Sequence, residues 1–224
     1  YGMQNVNGDY FAYLDDDDEF LATKIEKQVE LFRKGSDKLG VVYCWEEYYD
    51  DRNDRHLYFN KPTAKGFIFR EMLSGPVTTG TSLLMFKKEV ISKCGFWDDS
   101  IRLGADYQYL IKVSKYYEFD YVPEVLDRTH INHIYNRMST ISTDNLGLID
   151  IVIYHNKILD DHKEDFNRYP EARYWHYLTI AKTYARMRDF EKYIQYLKLA
   201  MRLNKPIVRK TRDFLSSLKK IVRK

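Results

Sequence analysis

Residues 40–45, GVVYCW, are apolar at odd and even positions alike. A strand with one wet face alternates between apolar and polar side chains. One without alternation has to be covered on both sides. This stretch therefore calls for a layered fold, with helices packed over both faces of a sheet. Its neighbours supply the layers. Residues 9–14 (DYFAYL) read as a short strand, as do 79–86 (TGTSLLMF) and 119–126, the last broken by Pro123. Phe20, Ile25, Val29, Leu31 and Phe32 recur at helical spacing, with Lys24, Glu26, Lys27 and Glu30 between them, up to a stop near Gly35. Short helices are expected over 65–73 and 87–94, and a longer one over 105–117. Residues 46–65 are polar and read as a loop.

The pattern changes after residue 144, where only helical spacing remains. One helix is expected over 146–159, and two more over 173–187 and 190–203, joined at Arg188-Asp189. The pair resembles one tetratricopeptide unit, with Ala181, Tyr184, Ala185, Phe190, Tyr193, Leu197 and Ala200 in packing positions. A single unit is too few for a solenoid and needs another surface to dock on. Pro206 opens a last helix. Its apolar positions (Ile207, Val208, Phe214, Leu215, Leu218, Ile221, Val222) leave Lys210, Arg212, Lys219, Lys220, Arg223 and Lys224 on the remaining face. The expected division is an α/β segment over 1–135 and a helical tail over 136–224.

Composition narrows the function classes. The chain has 36 basic and 33 acidic residues, a net charge of +3, which gives no argument for nucleic-acid binding. No run of about 18 apolar residues marks a membrane span, and residues 1–13 lack the pattern of a secretory signal. Cys44 and Cys94 stand far apart, which excludes a cysteine-built zinc site and fits a reducing compartment. Charge is polarised along the chain: residues 1–23 hold six acids and no Lys or Arg, and 205–224 hold eight bases and one acid.

The chemistry-bearing feature is Asp15-Asp16-Asp17-Asp18-Glu19, directly after a strand. Adjacent carboxylates repel one another unless a cation neutralises them. At a strand's carboxyl end they face the crevice where open sheets bind ligands. A hard divalent ion takes one or two carboxylates and completes its shell with water and phosphate. The residues thus read as a Mg²⁺ or Mn²⁺ site for a phosphorylated ligand, with Asp15 and Asp17 as ligands. Helix capping by Asp17, Asp18 and Glu19 is an alternative that can coexist with it. A second acidic run, Gly95-Phe96-Trp97-Asp98-Asp99 and then Arg102-Leu103-Gly104-Ala105-Asp106-Tyr107, ends at a helix start.

These segments resemble family-2 glycosyltransferases of the GT-A type. GDYFAYLDDDDEFLATKIEKQVELF is similar to the stretch carrying their DXD motif. TSLLMFKKEVISKCGFWDDSIRLGADYQYLIKVSKYYEFDYVPEVL is similar to the second half of the same domain, and the resemblance covers about residues 5–135. It implies a partial GT-A-like (Rossmann-like) mixed sheet flanked by helices, with an all-helical C-terminal region after it. Asp15 and Asp17 match the DXD acids, with Asp15, Asp16, Asp17 and His130 on the donor side. Asp106 matches the general base, and Trp97 and Asp98 match the acceptor-side loop. Ala105 departs from the family's Glu before the base. The family's opening strands and base-gripping aspartate find no match, so the N-terminal nucleotide-binding portion is expected to be lacking.

The resemblance implies transfer of a sugar from a nucleotide-diphospho-sugar to a hydroxyl of a saccharide or lipid-linked acceptor. The reaction would be inverting and dependent on Mg²⁺ or Mn²⁺, in surface polysaccharide or glycoconjugate synthesis. A cytoplasmic location at the inner membrane face is expected, with peripheral contact through 205–224. An incomplete sheet would leave an unpaired edge and favour self-association. Two alternatives stay open: a non-catalytic interaction module derived from such an enzyme, and a metal-dependent phosphoryl or nucleotidyl transferase, for which the chain has no P-loop.

Overall fold

The computed structural model describes residues 1–78, 80–132 and 145–203. The expected basic helix over 205–224, the 135/136 division and Thr79 lie outside the described residues. Two compact units are present. The first comprises Tyr1–Met72, Pro76–Asp98 and Asp106–Arg137, and the second Leu73–Gly75, Asp99–Ala105 and Met138–Lys224.

The first unit is a mixed sheet with helices. Its elements are β1 (Tyr10–Ala12), β2 (Asp18–Phe20), α1 (Lys24–Lys34), β3 (Leu39–Asp50), β4 (Arg55–Asn60), α2 (Phe69–Leu73), β5 (Met85–Lys87), α3 (Glu89–Cys94), α4 (Ala105–Ser114) and β6 (Glu118–Ile131). The strand order is β1-β5-β3-β6-β2, with β4 also paired to β3. The β3–β6 pair is parallel and the others are antiparallel. Val41, Val42, Tyr43 and Cys44 are wholly buried, as a strand apolar on both faces requires. Gly40 is needed beside them, because a Cβ there would come within 2.5 Å of the Tyr117 ring.

Several elements depart from the pattern read in the sequence. Residues 46–65 are not a loop: β3 runs on to Asp50 and turns into β4. Asp54 takes φ 48° in that turn. Among the described residues of the strand expected over 79–86, only Met85 and Phe86 are in β5, which runs one residue on to Lys87. Pro123 does not break β6. Cys44 pairs with Val122 and Trp45 with Val125, so Pro123 and Glu124 bulge out of the ladder, where the missing N–H costs nothing. Helix α1 begins at Lys24 with Thr23 before it. Asp18 and Glu19 lie in β2 instead, so none of the acids caps this helix. The buried face of α1 is Lys24, Gln28 and Phe32, and Ile25 is 47 % exposed.

The second unit holds α5 (Asn145–Asp161), α6 (Lys163–Arg168), a 3-10 turn at Pro170–Ala172, α7 (Arg173–Arg186) and α8 (Phe190–Arg202). Arg188 turns the chain at φ 63°, and Asp189 accepts the Lys192 N–H at 3.0 Å as the N-cap of α8. Tyr174, Leu178 and Ala200 form one packing cluster, and Ala181, Ala185 and Tyr193 another. Phe190, expected to pack, is half exposed.

A histidine pair is buried in this unit. His176 Nε2 lies 3.1 Å from the Leu73 carbonyl oxygen, which can only accept. His176 therefore donates from Nε2 and accepts at Nδ1, from His155 Nδ1 at 2.9 Å. Burial lowers the pKa of His155 to about 2, aided by His176. Burial also lowers His176 to about 4, against the Leu73 bond. The folded rings thus bind protons less readily than the unfolded ones, at 6.5. Their contribution to stability is present above that value and is lost as the pH falls through the window below it. Helical circular dichroism should record a melting temperature that declines from pH 6.5 downward. The decline should be smaller in a His155→Gln/His176→Gln variant, and parallel curves would refute the assignment.

Candidate functional site

The acid run forms a turn. The Asp18 N–H donates to the Asp15 carbonyl at 3.1 Å, which leaves Asp16 and Asp17 at the tip. The turn is tied down on both sides. The Asp15 N–H donates to Ser82 Oγ at 3.0 Å, and Thr81 Oγ1 donates to the Asp15 carboxylate at 3.0 and 3.2 Å. The His130 N–H donates to the Asp17 carbonyl at 3.3 Å. Asp15 and Asp16 remain exposed, and Asp17 is half-buried.

Asp106 sits in the first turn of α4. Burial raises its pKa above the usual carboxylate range. Backbone N–H groups of Tyr107 and Asp106 oppose the shift, and the negative charge of Asp15 adds to it. The two carboxylates are 91 positions apart in the chain, and the Asp15 charge acts on Asp106 through space.

Beside them lies a buried polar layer that the sequence reading missed. Register places Asn60, Glu46, Asp127 and Phe20 in one row across β4, β3, β6 and β2. Tyr58, Tyr48, Thr129 and Asp18 form the next row on the same face. Asn60 Nδ2 donates to Glu46 Oε1 at 2.6 Å, and Thr129 Oγ1 to Glu46 Oε2 at 3.1 Å. Gly80 covers Glu46; a Cβ there would lie 3.4 Å from Glu46 Oε2 and 2.6 Å from Leu83. Glu46, Asp127, Lys24 and Gln28 are all wholly buried. Lys24 Nζ donates to Gln28 Oε1 at 2.8 Å and lies 4.0 Å over the Phe20 ring. Gln28 in turn donates to the Val42 and Leu83 carbonyls. Burial pushes the Asp127 pKa up to about 8; Lys24 opposes the shift, and Asp18, Glu46 and Asp15 reinforce it. Neither Asp127 carboxylate oxygen has a hydrogen bond among the described residues.

The other predicted residues are distributed around this layer. His130 follows Thr129 in β6, so its ring points to the opposite sheet face. There Nδ1 lies 2.7 Å from Asp51 and Nε2 3.6 Å from Glu19. Arg128, also on that face, bonds Glu19 and Glu47. The structure thus joins His130 to the turn through its backbone and directs its side chain elsewhere. Trp97 packs at 4.7 Å from Tyr13 and 6.2 Å from Tyr109, and its Nε1 is buried without a hydrogen bond among the described residues. Asp98 follows it, half-buried. No group of three or more His, Cys, Asp or Glu side chains able to hold a metal occurs among the described residues.

The model of glycosyl transferase family 2 matches residues 1–94. The likeness to that family covers 94 of the chain's 224 residues. The matched segment includes the acid turn, Thr81, Ser82 and Glu46; Asp106, Asp127 and His130 follow it. An uncharacterized glycosyltransferase of Rickettsia typhi is 32% identical over 138 residues, 58% of this chain and 42% of that protein. One of Rickettsia prowazekii is 29% identical over 136 residues, again 58% and 42%. One of Methanocaldococcus jannaschii is 28% identical over 148 residues, 63% and 48%. The chain spans less than half the length of these curated relatives.

Asp127 offers a test of the layer's electrostatics. Its folded pKa is raised, so its contribution to stability is present below the ordinary value of 3.8 and is lost as the pH rises through about 8. The melting temperature should fall less steeply over that rise in Asp127→Asn than in the unaltered chain. Equal slopes would place the carboxylate in water.

Proposed function

We propose that the family-2 segment and the residues that follow it form the catalytic face of a glycosyltransferase. The enzyme would move a sugar from a nucleotide-diphospho-sugar to an acceptor hydroxyl with inversion. One feature supports this reading: burial raises the pKa of Asp106 at the start of α4, and the charge of Asp15 in the acid turn adds to the shift. A carboxylate whose proton affinity is raised suits removal of a hydroxyl proton.

The donor set fits a divalent ion shared with phosphate. Asp15 is held by Thr81, and Asp16 and Asp17 stand at an exposed tip. With no cluster of three protein ligands among the described residues, such an ion needs phosphate oxygens and water to complete its shell. Asp15 and Asp17 would hold Mg²⁺ or Mn²⁺ there, and the ion when bound would offset charge on the departing diphosphate. Thr81 and Ser82 keep Asp15 oriented, and the backbone of His130 braces Asp17. Asp106 takes the acceptor proton while the hydroxyl attacks the face opposite the leaving group. Trp97 and Asp98 would border the acceptor. The positioning of both substrates lowers the entropic barrier.

No helix among the described residues is long and apolar enough to cross a membrane. The basic residues of 205–224 would suit contact with an anionic membrane surface, as an enzyme of surface polysaccharide synthesis requires.

Asp106→Asn should lower transfer by about a hundredfold to ten-thousandfold while leaving nucleotide-sugar binding intact. Loss of binding in step with turnover would remove the base role. Asp17→Ala should abolish the Mn²⁺ dependence of donor binding in a calorimetric titration. A titration unchanged from that of the unaltered chain would remove the ion from this turn.

A further inference from the structure

Helix α8 presents apolar side chains to the outside as well as to α7. Tyr193 and Ala200 are buried against α7, but Phe190, Ile194 and Met201 are 50 %, 48 % and 42 % exposed. At about 100° per residue the three fall within about 40° of one another, so they form one stripe along the helix. Single apolar side chains are common on surfaces, whereas an aligned set marks a contact site. Past the stripe, Ile194, Leu199, Glu191, Gln195, Lys198 and Arg202 line an open hollow of about 520 Å³ among the described residues. Lys198 and Arg202 are exposed, and Arg188 is exposed at the turn into the helix. None of these three bases has an ion pair among the described residues.

Charge divides the chain at the same place. Residues 1–172 hold 30 acids and 21 bases, and 173–224 hold 15 bases and 3 acids. We propose that the outer side of α8 docks on an anionic phospholipid bilayer. Phe190, Ile194 and Met201 enter the boundary between headgroups and acyl chains, and Lys198 and Arg202 hold a lipid phosphate at the hollow. At 13 residues α8 is too short to span a bilayer and lies along its surface. Two properties select this occupant. The basic excess favours a negative partner. A nucleic-acid backbone would meet the bases and leave the stripe in water; a bilayer places phosphate next to hydrocarbon and meets both. The surface is also continuous with the eight bases of 205–224, which begin three residues after Arg202. The inference extends the membrane contact from the basic end of the chain to α8, rests on the side chains of α8, and does not depend on the transfer reaction.

The test is co-sedimentation of the full chain with phosphatidylcholine vesicles, with and without phosphatidylglycerol. The chain should bind the vesicles that contain phosphatidylglycerol and not the others, and added salt should weaken binding. Lys198→Gln/Arg202→Gln should weaken it about thirtyfold, and Ile194→Ser/Met201→Ser about tenfold. All four side chains are exposed, so helical circular dichroism should give an unchanged melting temperature in both variants. The proposal is overturned if the chain ignores anionic vesicles, if it binds phosphatidylcholine equally well, or if either α8 variant binds as the unaltered chain does. Loss of binding in Lys219→Gln/Lys220→Gln, with neither α8 variant affected, would assign the contact to 205–224 alone. Analytical ultracentrifugation without vesicles examines a second copy as the occupant. A dimer that Ile194→Ser/Met201→Ser dissociates would assign the stripe to self-association and overturn the proposal as well. No sugar nucleotide enters these measurements, so their failure leaves the transferase reading standing, and a chain without turnover can still bear the proposal out.

Discussion

Strand β6 holds the buried polar face together by pairing on both edges. Its parallel ladder to β3 sets Asp127 beside Glu46, and its antiparallel ladder to β2 draws the acid turn in beside Thr129. Burial of several carboxylates on one sheet face is expensive unless something offsets it. The offset is local: Lys24 shares the interior with them, and Thr129 and Asn60 satisfy Glu46. With a charged group placed at the first position of α1, the helix cannot present a purely apolar stripe to the sheet.

That constraint explains where the sequence misleads. The apolar spacing in 20–32 is real, yet the face that turns inward is Lys24, Gln28 and Phe32. Gln28 donates to two backbone carbonyls, and hydropathy gives no credit for such a bond. The strand at 40–45 was readable because burial on both sides leaves an unambiguous apolar run. Strand β4 (RHLYFN) was not, because its exposed positions alternate too weakly. The α7–α8 hairpin was legible almost residue by residue, since its turn and its small packing residues are local signals; Phe190 is the exception.

At the site the order of legibility reverses. The acid turn and Asp106 announce themselves as clustered charge next to a predicted element. Thr81, Ser82, Glu46 and Asp127 carry no such mark. A threonine at a strand's approach and single acids inside long strands gain meaning only when pairing brings them to one face. The one available signal was an acid just past the carboxyl end of the strand expected over 119–126, which describes Asp127. His130 illustrates the converse: proximity in sequence to the crevice did not fix the direction of its ring.

The irregularity around Pro123 has a further effect. Between the Cys44–Val122 and Glu46–Asp127 pairings, β6 uses five steps where β3 uses two. Three surplus residues is an odd number, and side chains alternate sides at each step. The kink therefore works as a phase inverter: it carries Asp127 and Thr129 over to the side occupied by Glu46 and sends Arg128 and His130 to the reverse. Shortening the segment by one residue would exchange these two sets, bringing Arg128 and His130 to the side of Glu46 in place of Asp127 and Thr129.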